Sequence, residues 1–131
     1  MMKRSAIAVV LIFLAWSGMD MVIHGVLLGP TYEATASLWR PMEQMNMPLM
    51  YFVSVVSAIG FTAIYALLVT NKSLMAGIKL GLLFGLVAGV SMGFGSYSYM
   101  PIPMSLAWGW FLGSLAEMAA AGAIVGAVVK S

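Results

Sequence analysis

The stretch Gly77-Ile78-Lys79-Leu80-Gly81-Leu82-Leu83-Phe84-Gly85-Leu86-Val87-Ala88-Gly89-Val90-Ser91-Met92-Gly93 decides how this chain folds. Glycine recurs at every fourth position, at 77, 81, 85, 89 and 93, inside an otherwise apolar run. In water this would be a poor helix, because each interior glycine costs about 1 kcal/mol relative to alanine. In lipid the backbone has no other hydrogen-bond partner, so the segment stays helical. Repeated small-xxx-small spacing lets a second helix approach backbone to backbone, crossing at a right-handed angle of about −40°. The rest of the chain is expected to supply that partner.

Composition agrees with the environment this stretch demands. Of 131 residues, 63% are hydrophobic and 8% charged, whereas about a quarter would be charged in a soluble domain. A hydrocarbon core of about 30 Å takes roughly 20 residues of helix, and the apolar runs accommodate spans over 5–28, 48–70, 74–96 and 104–129 with little left over. The expectation is one all-α membrane domain over 1–131, a polytopic four-transmembrane-helix bundle. The absence of cysteine removes disulfides and thiolate chemistry, and a net charge of +2 gives no ground for nucleic-acid binding.

The start, Met1 to Arg4 followed by an apolar run, has the form of a signal peptide. The run continues through Met21 to Leu28, so a retained span is expected, ended by Gly29-Pro30. Residues 31–47 form the one sizeable loop, with Thr31 as a candidate cap for a short interfacial helix reaching Trp39. In the second span Ser54, Ala58, Thr62 and Ala66 make a small-residue row spaced like the glycines, and this span is a candidate partner of the ladder. The fourth span carries Gly109, Gly113 and Ala121, with Gly122 and Gly126 on a neighbouring row, so it too can pack closely.

Lys3, Arg4, Lys72, Lys79 and Lys130 fall on one side of a four-span layout and only Arg40 on the other, which predicts cytoplasmic termini in a bacterial inner membrane. Aromatic residues gather at the opposite end, with Trp39, Trp108 and Trp110 as expected interface anchors.

Two of the four acids lie inside spans, where a carboxylate costs about 2.5–3.5 kcal/mol on insertion scales. Asp20 and His24 are four apart and share a helix face. Glu117 stands between Gly113 and Ala121, turned toward another helix. Asp20, His24 and Glu117 are read either as a dry polar clasp between the first and fourth spans or as a proton or cation pathway, and hydration separates the two. Three such groups and no Glu-x-x-His pair suggest no metal cofactor. Met42, Met45 and Met47 in the loop resemble the methionine motifs of copper-transport proteins, since thioethers select Cu(I). Gly89-Val90-Ser91-Met92-Gly93 matches a nucleophile-elbow pattern, but that motif needs a strand-to-helix turn. No enzyme activity and no cofactor are expected.

The Gly25-Val26-Leu27-Leu28-Gly29-Pro30 exit, the aromatic loop ending at Trp39 and the Gly-rich third span entered through Lys79 resemble small four-span bacterial membrane proteins of unknown function. The chain is also similar in layout to small multidrug-resistance transporters, whose essential first-span acid would correspond to Asp20. It departs from them in its positive-inside bias and in Glu117. The role expected from the sequence is an accessory or assembly subunit, packing through its glycine-rich faces against itself or a larger membrane complex. A small proton- or cation-linked transporter is the alternative, and copper handling the third reading.

Overall fold

A computed structural model describes residues 1–130, of which none forms a strand. Helix α1, Met2–Leu27, widens from an α-helix into a π-helical segment at Met21–Leu27. The short helix α2 covers Gly29–Ala34, and two 3-10 turns, Ala36–Leu38 and Met42–Gln44, complete the loop. Helix α3 spans Met47–Leu68, α4 spans Leu74–Gly95 with a π-helical segment at Ser91–Gly95, and α5 spans Met104–Val128. Each of the four long helices is apolar enough to cross a bilayer, with mean hydropathy from 1.7 to 2.2. The chain is an all-helical bundle of multi-pass membrane type.

Local chemistry sets the helix starts. Asn46 accepts the Leu49 N–H at 3.0 Å and Ser73 accepts the Ala76 N–H at 3.0 Å, so each satisfies a donor that the first turn leaves free. The first span ends differently from expectation. It stops at Leu27, and Pro30 sits in the opening turn of α2, where its missing N–H loses nothing. Thr31 is inside that helix and does not cap it; its carbonyl accepts the Thr35 hydroxyl at 2.8 Å. The helix also ends at Ala34, well before Trp39.

Of the two spans with small-residue rows, the glycine ladder takes the fourth as its partner. It packs on α5, not on α3. A Cβ at Gly77 would run into the Gly122 carbonyl, and one at Gly81 into the Met118 carbonyl. At Gly85 it would stand 3.0 Å from the Leu115 Cα, and at Gly93 it would meet the Ala107 carbonyl. The reason is reciprocal: Gly122 and Gly126 also lack side chains at the contact, so both backbones close in. The row on α3 carries side chains and cannot match that approach. It turns instead toward α1, burying Ala58 and Ala66 in one core with Ala8, Ile12 and Trp16. Gly113 likewise serves α1, receiving Ile23, and Gly109 receives Leu28 just past its end.

α1 therefore packs on both α3 and α5, and α4 packs on α5. Phe61 and Phe84 join α3 to α4 edge to face, with centroids 5.8 Å apart. At the basic end the buried Tyr65 hydroxyl donates to the Ser73 carbonyl at 3.0 Å and accepts the Ser73 N–H at 3.1 Å, pinning the α3–α4 turn. Tyr65→Phe is expected to lower stability by about 1–2 kcal/mol, since the Ser73 N–H loses its partner while the Ser73 carbonyl keeps the Gly77 N–H at 3.1 Å. Thermal unfolding in mild detergent measures it. The buried Thr62 hydroxyl has no hydrogen-bond partner. Thr62→Val keeps the shape and removes that orphan, so the same assay should show a gain of about 1 kcal/mol; a loss would reveal a partner for the hydroxyl.

Candidate polar vestibule

Asp20 closes the α-helical part of α1 and His24 stands in the π-helical segment that follows. Such widened turns occur frequently at functional sites. His24 Nε2 lies 3.8 Å from Asp20 Oδ1, and the two side chains are 43% and 45% exposed. Glu117 reaches the same place from α5, and donor atoms of all three residues lie within 4.8 Å of one another. One turn below Asp20, the Trp16 indole donates to the Glu117 carbonyl oxygen at 2.8 Å. That bond sets the height of Glu117 against α1.

An aromatic group covers the cluster from the loop side. Tyr32 on α2 bonds His24 Nδ1 through its hydroxyl at 2.7 Å, and the Trp110 indole donates to the same hydroxyl at 2.6 Å. Indole can only donate, so the phenol hydrogen is free to point at His24 Nδ1, which leaves the Nε2 hydrogen facing the acids. Burial pushes the Tyr32 phenol above its ordinary range; the Trp110 bond partly offsets this, and the Asp20 charge adds to the rise. The phenol thus keeps its proton at neutral pH. Trp39 packs against both Tyr32 and Trp110, at 5.7 Å and 5.9 Å between ring centroids, and donates to the Thr35 hydroxyl at 2.9 Å.

Between these groups is a cavity of about 520 Å³. Asp20, His24, Ser114 and Glu117 supply its polar wall, while Met50 and Val53 of α3 stand among its apolar residues. Met92 enters from the π-helical segment of α4. Toward the basic end the bundle is filled by Ile12, Trp16, Ala58, Phe61, Ala121 and Val125. The site is a vestibule above an apolar floor. No protein-family model, curated protein or solved structure matches this chain. Geometry alone carries the functional argument.

The structure brings Asp20, His24 and Glu117 together. The five ladder glycines pack within the chain, away from the polar cluster. Trp110, read from sequence as an interface anchor, belongs to the site through its bond to Tyr32, and Trp39 packs over both. Trp108 is half exposed and packs edge-on to Phe94, with centroids 5.0 Å apart. Met42, Met45 and Met47 are not among the residues lining the cavity; its thioethers are Met50 and Met92. Sequence reasoning missed Tyr32, Trp110 and Ser114 as site residues. Tyr32 follows His24 by eight positions across a helix reversal, and only the position of α2 brings the two side chains together.

Proposed function

We propose that this chain is a non-enzymatic membrane protein that admits a proton or small cation to the Asp20–His24–Glu117 vestibule and moves it across the bundle. The observation that carries the reading is the half-exposed Asp20–His24 pair facing Glu117 across a cavity of about 520 Å³. A structural clasp would be dry and closed. Intramembrane acids beside a histidine, facing a cavity in the bundle, are the usual material of ion and proton pathways.

A bacterial inner membrane with cytoplasmic termini is the setting we propose. Its support is the gathering of Lys3, Arg4, Lys72, Lys79 and Lys130 toward one end. Arg4 donates to the Val128 carbonyl at 3.3 Å, and Gly126 packs against Leu74, so the two termini and the α3–α4 turn share that end. The vestibule then faces the opposite side. Purified protein in vesicles carrying a pH-sensitive dye and an imposed potassium potential should dissipate a pH gradient faster than protein-free vesicles. Equal rates for protons, Na⁺ and K⁺ with and without protein would sink the reading.

An accessory role in a larger membrane complex is the second reading. Small-residue rows on three spans support it, although most of those rows are occupied within the chain. Outside those rows, Gly18, Gly25, Gly29 and Gly60 have open space around each. Recovery of stoichiometric larger subunits after mild-detergent purification would favour it.

A further inference from the structure

We infer that the vestibule binds a divalent first-row transition ion of the Mn²⁺ to Zn²⁺ class through Asp20, His24 Nε2 and Glu117. The inference rests on the vestibule reading for its access to water and names the cation. The donor set is mixed: two carboxylates and one imidazole, with donor atoms already within 4.8 Å of one another. Ligands around an ion at bond lengths of about 2.1 Å stand roughly 3.0–3.4 Å apart. Turning the two carboxylates, neither fully buried, toward the His24 ring that Tyr32 holds is the movement that closes this difference.

Charge and donor softness select the ion. Two carboxylates this close repel when both are ionised, and a dication between them removes the repulsion. Imidazole suits Zn²⁺, Fe²⁺ and their neighbours, whereas Mg²⁺ and Ca²⁺ favour oxygen alone. The surroundings of His24 fit a ligand as well. A metal-bound histidine has its second ring nitrogen held by an outer partner that fixes the ring, and here the Tyr32 hydroxyl holds Nδ1 at 2.7 Å while Trp110 holds Tyr32. When an ion takes Nε2, the ring proton moves to Nδ1 and the phenol oxygen accepts it. The oxygen has two lone pairs, enough for His24 and Trp110 together. The remaining coordination positions face a cavity of about 520 Å³, large enough for water to complete the shell.

His24 is the single histidine of the chain, which makes it a clean reporter. Protein purified without a polyhistidine tag is treated with diethylpyrocarbonate in detergent at neutral pH, with and without Zn²⁺, and His24 modification is read by mass spectrometry. Zn²⁺ should suppress labelling more than about tenfold, and about a hundredfold excess of Mg²⁺ should not. In parallel, competition with a chromophoric chelator should give one Zn²⁺ per chain. Asp20→Asn and Glu117→Gln should each weaken binding at least about tenfold, and Tyr32→Phe by about tenfold as an outer partner. Unchanged labelling of the wild-type chain overturns the inference, as does zinc binding that survives both carboxamide variants. Neither readout involves transport. Proton flux without zinc binding would sink this inference and leave the vestibule reading standing, and zinc binding without any flux would do the reverse.

Discussion

Gly81→Leu is expected to abolish the folded bundle, leaving aggregated protein in detergent where the wild-type chain gives a single species. A first side-chain carbon at this position already collides with the Met118 carbonyl oxygen and comes within 3.0 Å of the Gly122 Cα. Those atoms are backbone, so no rotamer change relieves the clash. Overpacking ordinarily costs about 1–3 kcal/mol where side chains can shift; two helix axes must separate here, and the loss spreads along the ladder. Gly81→Ala should fall between, at about 2–4 kcal/mol. Gly60→Leu is the control, because nothing stands within 4 Å of that glycine. It should match or exceed the wild type, by up to about 1 kcal/mol from helix propensity. Equal recovery of Gly81→Leu and Gly60→Leu would refute the backbone contact between α4 and α5.

Asp20→Asn and Glu117→Gln should each reduce proton or cation flux in reconstituted vesicles more than about tenfold, an effect of the size general acid–base groups commonly contribute to proton transfer. Both carboxylates stand on one cavity wall with His24 between reach of each. Removing either breaks the same relay, so the double variant should be no slower than the slower single one. Non-additivity of this kind marks residues acting as a unit. Gly18→Ala on α1 is the matched control, since it changes open space only. Flux unchanged in both carboxamide variants would return Asp20 and Glu117 to a purely structural role.

Much of the architecture could be read from the chain. Span number follows from hydropathy and from prolines that interrupt backbone donation, and the four long helices lie close to the expected segments. The ladder announced close packing but not with whom, because small-residue rows on the second and fourth spans look alike until side-chain volume is compared at each contact. Asp20 and His24 were legible from their spacing, and Glu117 from the expense of an acid in lipid. The bonds that build the site around them were not. Trp16 to Glu117 and Trp110 to Tyr32 connect positions 101 and 78 residues apart, and no periodicity encodes such pairs. The π-helical segments at Met21–Leu27 and Ser91–Gly95 carry no composition that distinguishes them from α-helix. They set which way His24 and Met92 face.

The contact of α4 with α5 has a mechanical side. Where carbonyl and Cα atoms touch directly, no flexible side chains lie between the helices to absorb sliding, so the pair behaves as one stiff beam. α1 and α3 share a seam of ordinary side chains, while α3 meets α4 through the single ring pair Phe61–Phe84 among the aromatic contacts. α1 lies against that beam as well, bonded to α5 from Trp16 to the Glu117 carbonyl, so α3, held to the beam mainly through α1, is the compliant helix. Asp20 and His24 are thus held with Glu117 on the stiff side, and the wall free to move is the one α3 supplies through Met50 and Val53.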